Sequence, residues 1–415
     1  MRITVRIGIY KSLVELSNVP PSCKEGVADN ALVARAQGLS ETPPIDIGQP
    51  IVKNKSHSVF SCRSQARPDA PRPGKMKTKN MVDKVHPIAR LLTLRWPCLR
   101  TGRSVRLLPG AVWFSVSLFA TSVNAAPPMI SAGKTIQAAD GVYVIPDGGV
   151  PLVPNVGIVV GEESVLVVDT GMGPANAEIV LAEVRKISDL PIRYLVTTHF
   201  HPEHNYGAQS FPDETILIYS IAQHEDLQRK GETYRNWFIE MFGDDVRKLL
   251  EPVELVPPDV TFLRQARLDL GNLPVQLLYF GHAAHTGGDT VIFLPGKKLA
   301  FVGGLAPGGL FPILADEDSS VRGWLATLNL LSELGAEIIV PDHGEIGDTG
   351  LIEEVEDYFT AIQSQALELR SQRVELASAQ EALSAKFAER YPNWGEPHWI
   401  ANAVERVYAE AEQMD

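Results

Sequence analysis

Cysteine is scarce, and its distribution excludes more than its number. The 415 residues hold three, Cys23, Cys62 and Cys98, and none follows residue 98. The longer C-terminal part can therefore close no disulfide, and it offers no thiolate to a metal or to nucleophilic catalysis. Positive charge is the second shortage. Residues 1–125 carry 19 of the 38 Lys and Arg but only 7 of the 50 Asp and Glu, so the remainder keeps 19 basic against 43 acidic residues, a net charge of −24. Such a surface repels a phosphate backbone, and nucleic acid is not an expected partner. Long apolar runs are the third. The run at 107–120 reaches about 14 residues, short of the roughly 20 that span a bilayer as a helix, so no stable membrane anchor is expected.

What is present divides the chain unevenly. Residues 1–75 mix Ser, Pro, Lys and Arg without periodicity or motif. A basic stretch from Lys77 to Arg106 then precedes the apolar run and the small-residue sequence Ser122-Val-Asn-Ala125. Basic region, short apolar region and small-residue cleavage point are the parts of a secretory signal, in order. We therefore expect residues 76–125 to form the signal region, with translation starting at Met76 or Met81 and residues 1–75 an over-extended reading frame. Peptides from residues 1–75 in the natural protein would refute this. The expected location is periplasmic or secreted. The mature chain, cysteine-free and about 290 residues long, is large enough to rely on its own core.

From residue 135 the pattern alternates. Short β-type runs at 141–145, 157–160 and 164–169 precede a helical spacing at 176–186, strands at 193–197 and 215–219, and a helix beginning within 205–211. Residues 221–252 read as amphipathic helix, with Trp237, Phe238, Ile239, Met241 and Phe242 either packing on the core or lying over the site described next. A second half repeats the scheme: strands near 267–270, 275–280, 290–294 and 299–302, a helix at 321–334 and a strand at 337–340. Residues 351–415 are mostly helical, without a low-complexity linker, and are expected to pack on the main domain.

The chemistry gathers in Tyr194-Leu-Val-Thr-Thr-His-Phe-His-Pro-Glu-His-Asn-Tyr-Gly207. His199, His201, Glu203 and His204 lie within six residues, directly after an apolar run. On extended backbone, positions two apart face one side, so the two imidazoles converge. Neutral imidazole and carboxylate are the ligands zinc prefers when no thiolate is at hand.

This stretch resembles the His-x-His-x-Asp-His signature of the metallo-β-lactamase superfamily, with Glu203 where Asp is usual. Asp169-Thr-Gly171 precedes it, while Gly281-His-Ala-Ala-His285-Thr-Gly-Gly-Asp289 and Val340-Pro-Asp-His343-Gly344 follow, in the order such proteins show. The resemblance spans about residues 135–350. It implies an α/β fold, a four-layer αβ/βα sandwich occupying residues 126–350, with residues 351–415 a helical C-terminal extension. It also implies that His199, His201 and His285 hold one zinc and that Glu203, His204 and His343 hold a second. Asp169 is expected either to orient a ligand histidine or the bound water, or merely to end its strand. Glu203 and Asp169 are the residues expected to share in catalysis.

Two departures qualify this picture. Glu203 is one methylene longer than Asp, so the second site is expected either to be weak or to fill only when substrate binds. Phe301-Val-Gly-Gly304-Leu resembles the segment that often carries a bridging Asp, and Gly304 stands in its place, so no bridging carboxylate is expected from there. Asp289 and Asp342 are expected to brace the loops of His285 and His343. His224, His282 and His398 match no ligand position.

The expected activity is a zinc-dependent hydrolysis, in which hydroxide generated on the metal attacks a small-molecule carbonyl: ester, lactone, thioester or amide. Opening of a β-lactam ring is one alternative, for which Gly303-Gly-Leu-Ala-Pro-Gly308 has some likeness to one branch. A mononuclear iron centre acting on sulfur compounds or linked to a quinoprotein system is another, and a metal-binding protein without catalysis a third. Zinc, one or two per chain, is the expected cofactor, with iron the alternative.

Overall fold

The computed structural model describes residues 127–414. The stretch read as an export signal, the proposed cleavage point and all three cysteines lie outside the described residues.

Two sheets carry the fold. In the first, β1 (Ile136–Ala139), β2 (Val142–Ile145), β3 (Val156–Val160), β4 (Val165–Val168), β5 (Ile192–Val196), β6 (Ile216–Ser220) and β7 (Val260–Phe262) lie side by side in chain order. Pairing is antiparallel as far as β4 and parallel beyond it. Parallel neighbours need a crossover, and the chain supplies one each time: α1 (Gly173–Ile187), then α2 (Pro202–Asn205), then α3 (Ile221–Phe242) with α4 (Asp244–Leu250). The second sheet has the order β12-β11-β10-β9-β8, from β8 (Gln265–Asp269), β9 (Pro274–Leu278), β10 (Val291–Leu294), β11 (Leu299–Gly303) and β12 (Ile338–Pro341). It is antiparallel except for β11 and β12, which α5 (Val321–Ser332) connects. The chain ends in α6 (Gly350–Ser371), α7 (Leu376–Arg390) and α8 (Trp399–Glu412).

Strand alternation explains the layering. In β4, Val165 and Val167 face the helices while Leu166 and Val168 face the other sheet. In β10, Val291 and Phe293 face the helices and Ile292 and Leu294 turn inward. Runs without a polar position are what a strand covered on both faces requires. Three apolar layers result. One lies between the sheets, one between the first sheet and α1, α3 and α4, and one between the second sheet and α5 to α8. This is the expected αβ/βα sandwich. At about 1.5–3 kcal/mol per fully buried Val, Leu, Ile or Phe, these layers supply the main driving force. The sheets come close at Gly157, where a Cβ would stand 2.4 Å from Phe301 Cε1.

The helical extension seals the second sheet, as expected. Trp394 packs on Phe311 and Tyr358, and Glu410 of α8 accepts a hydrogen bond from Val321 N at the start of α5. Three local expectations change. The helix placed within 205–211 starts earlier, as α2, because Pro202 at its first position pre-sets the helical φ. Only a 3-10 turn at Ala208–Ser210 follows. The helix at 221–252 breaks at Gly243, whose φ of +81° suits glycine alone. Finally, β1 and β7, short and partly exposed, carry too little apolar signal to be separated from loop in the sequence.

Candidate metal centre

The candidate residues meet at the carboxyl ends of β4, β5, β11 and β12, with one loop before β10. Ligand sites in α/β sheets favour this edge, where strands stop and loops begin. Asp169 follows β4 directly with φ +66°, a conformation that Asp tolerates better than most side chains. Its Oδ1 accepts from Thr198 N at 2.7 Å, and its Oδ2 accepts from Thr198 Oγ1 at 3.0 Å. The same Oδ2 lies 2.9 Å from His204 Nδ1. Of the two readings of Asp169, the geometry matches the one that orients a histidine.

β5 ends at Val196, and the chain bends through Thr198-His199-Phe200-His201. There His199 Nε2 and His201 Nδ1 stand 3.2 Å apart. Pro202 then opens α2, which puts Glu203 and His204 in its first turn. His285 enters from residues 279–290 and His343 from the end of β12.

Donor atoms fall into overlapping groups in which all lie within 4.8 Å of one another: His199, His201 and His285; His199, His204 and Asp342; and Glu203, His204 and His343. All six sequence-derived candidate ligands are thus brought together. Zinc bonds of 2.0–2.1 Å in tetrahedral geometry hold two donors roughly 3.3 Å apart, and the 3.2 Å between His199 and His201 matches that spacing. His204 Nε2 and Glu203 Oε2 are buried without a hydrogen-bond partner. Buried polar atoms are seldom left so, and a bound cation would satisfy both. The donor set therefore fits a metal.

Outer contacts select the metal-facing nitrogen of four rings. Nδ1 of His199 meets Thr198 Oγ1 at 3.0 Å, Nδ1 of His204 meets Asp169, Nδ1 of His285 meets Ile313 O at 2.8 Å, and Nδ1 of His343 meets Val153 O at 3.0 Å. In each, Nε2 is left to face the centre.

The electrostatics differ within the cluster. Burial, reinforced by the neighbouring imidazoles, holds His199 and His201 well below the ordinary histidine value. Burial also opposes charge on His204, but Asp169, with Glu203 and Asp342, outweighs it and raises the pKa to about 9.

The sequence reading missed a second tier. Tyr234 of α3 stacks on His201 with centroids 4.9 Å apart and planes at 16°. Its hydroxyl donates to Asp316 Oδ2 at 2.8 Å, and that oxygen lies 4.0 Å from His201 Nε2. Lys230 closes the network, 2.6 Å from Asp316, 3.1 Å from Asp226 and 2.8 Å from Asp318. Of the apolar cluster in α3, Phe238 packs in the core, Trp237 and Ile239 pack partly buried against it, and Met241 and Phe242 are exposed. Tyr234 and Lys230, outside that cluster, stand behind His201. No local signal could have revealed this, because Lys230 and Asp316 lie 86 residues apart. Asp289 braces its loop as expected, accepting from Thr286 N and Oγ1. Asp342 also braces, accepting from His343 N at 2.8 Å, but its second oxygen turns to His204 Nε2 at 3.6 Å. Gly304 lies against the His285 ring, where a Cβ would stand 2.7 Å from Cδ2, so a side chain there would displace the histidine.

Similarities to known proteins follow the same stretch. The model of the metallo-beta-lactamase superfamily matches residues 149–343. A linear primary-alkylsulfatase from Pseudomonas sp. is 27% identical over 227 residues, which is 46% of this chain and 42% of that protein. Type 2 metallo-beta-lactamases from Bacillus cereus and Bacteroides fragilis are each 26% identical, over 204 and 207 residues. These alignments cover 48% and 49% of this chain and 71% and 74% of the relatives. The chain thus spans less than half the length of the alkylsulfatase it matches. The matched residues contain all six candidate ligands, and the sandwich built around them has the layers that this signature implies. Residues 149–343 belong to the metallo-β-lactamase superfamily.

Proposed function

We propose that this chain is a zinc-dependent hydrolase whose substrate is a small molecule with an ester, lactone, thioester or amide carbonyl. Residues 126–350 form its catalytic domain and residues 351–415 its helical extension. The observation that carries the reading is the tethering of four histidine Nδ1 atoms, which leaves their Nε2 atoms to the overlapping donor groups. In this proposal His199, His201 and His285 hold one ion, and Glu203, His204 and His343 hold a second. The bound metal supplies Lewis acidity and lowers the pKa of water to about 7, making a nucleophile available at neutral pH. Asp169 keeps the His204 proton on Nδ1 and so keeps Nε2 free for the ion. The stacked Tyr234 ring excludes water from one face of His201. The test is hydrolysis of a panel comprising a β-lactam, a lactone, a thioester and an aryl ester by zinc-loaded and chelator-treated protein. Zinc-dependent turnover of one carbonyl class supports the proposal, and turnover indifferent to chelation overturns it.

A sulfate ester is the second reading, favoured by the similarity to the linear primary-alkylsulfatase. Release of sulfate from dodecyl sulfate, with the carbonyl panel silent, would put it first. Elemental mass spectrometry of the purified chain decides zinc against iron.

Export to the periplasm or medium belongs to the same proposal. It is supported by the basic, apolar and small-residue order at 76–125, and among the described residues no helix is long and apolar enough to cross a membrane. Recovery of the protein solely in the cytoplasmic fraction would refute it.

A further inference from the structure

Beside the two proposed ion positions stands a carboxylate that neither the signature nor its spacing points to. Asp342 follows β12 and is held by its backbone, its N–H donating to Gly303 O at 3.2 Å and its carbonyl accepting from Asn155 N at 2.6 Å. The side chain is 4% exposed. One carboxylate oxygen accepts from His343 N, and the other faces His204 Nε2 at 3.6 Å. That 3.6 Å is close to the roughly 3.3 Å between two donors of one tetrahedral zinc. His204 Nε2 is buried without a hydrogen-bond partner, and a cation between it and the carboxylate would satisfy both. The same carboxylate also groups with His199, whose free Nε2 belongs to the first set of ligands. It therefore reaches donors of both sets. A competing carboxylate from β11 is sterically blocked, because Gly304 packs against the His285 ring.

We propose that Asp342 is a metal ligand shared by the two ion positions, a bridging carboxylate delivered from β12. The inference rests on the reading that the histidines hold metal. Asp342 thereby strengthens the second position beyond what Glu203 alone provides, since Glu203 Oε1 stands farther from His204 Nε2, at 3.9 Å.

The experiment compares the full chain with Asp342→Asn, which retains an oxygen to accept from His343 N and so preserves the brace. Zn2+ stoichiometry is measured after dialysis, and affinities for Co2+ by calorimetry. Electron paramagnetic resonance of the Co2+-loaded wild type reports spin coupling between two ions and needs no variant. The expected result is two equivalents and a coupled spectrum in the wild type. In Asp342→Asn one equivalent is retained and the second is weakened by roughly 10- to 100-fold. Two uncoupled ions in the wild type overturn the bridge, as does a folded Asp342→Asn that binds both ions unchanged. A wild type that binds no ion overturns the underlying reading of the site instead. Loss of the circular dichroism signal in the variant would throw the decision onto the wild-type spectrum alone.

Discussion

The two halves of the candidate centre are built on different chemistry. The first half, His199, His201 and His285, is all imidazole, and two of its rings are held neutral by burial among other rings. The second half sets His204 and His343 among carboxylates, Glu203 and Asp342 facing one nitrogen of His204 and Asp169 the other. Its histidine carries a proton that it must lose before a metal arrives. One half is ready for an ion at neutral pH, whereas the other binds by exchanging a proton for a cation. On the proposed assignment, the contrast would make the first position the tighter and the second conditional.

The largest effect tests what stands behind the first half. Lys230→Met leaves Asp316 buried without its cation, while Asp226 keeps Arg229, and should cost about 3–5 kcal/mol of stability. Chemical denaturation of the metal-free protein measures this, and a loss below 1 kcal/mol would make the network incidental. His285→Ala removes one of three imidazoles. At about 3–4 kcal/mol per ligand of a structural zinc site, it should weaken the first equivalent by more than roughly 100-fold. Competition with a chelator of known affinity reads the loss, and unchanged retention would dissolve the distinction between halves.

Asp169→Asn acts on the second half through the tautomer of His204. We expect a roughly 10- to 100-fold weaker second equivalent with the first unchanged, by calorimetry. The smallest effect is that of pH. Because His204 stays protonated up to about 9 in the metal-free protein, the affinity of the second equivalent should rise about tenfold per pH unit between 7 and 9, then level off. The first equivalent should show no comparable slope from His199 or His201, which are already neutral there. Parallel slopes for both equivalents would erase the contrast.

Part of this was legible without coordinates. The period-two spacing of His199 and His201 predicts their convergence, and Pro202 explains why Glu203 and His204 turn back toward it. The apolar runs at β4, β5 and β10 announce strands buried on both faces, hence a sandwich. Helix α2 was placed late because the sequence signal of a four-residue helix lies in its proline alone. Asp342 braces its loop through one oxygen, and the other faces His204, a contact its position in the sequence does not mark. The Lys230–Asp316 pair left no trace, because neither residue has a local pattern that marks it as buried.

The sequence by itself determined which donors exist, the spacing of those on one strand end, the absence of thiolate, and the alternation that builds the layers. Tertiary structure decided which nitrogen of each ring faces the centre and which carboxylates stand beside it. The reason is range. Spacing along a strand or helix is set by backbone geometry within a few residues. The tautomer of His204 depends on Asp169, 35 residues away, and the orientation of His343 on the carbonyl of Val153, 190 residues away. The first contact needs β4 and β5 paired side by side, and the second forms only when the two sheets close on each other.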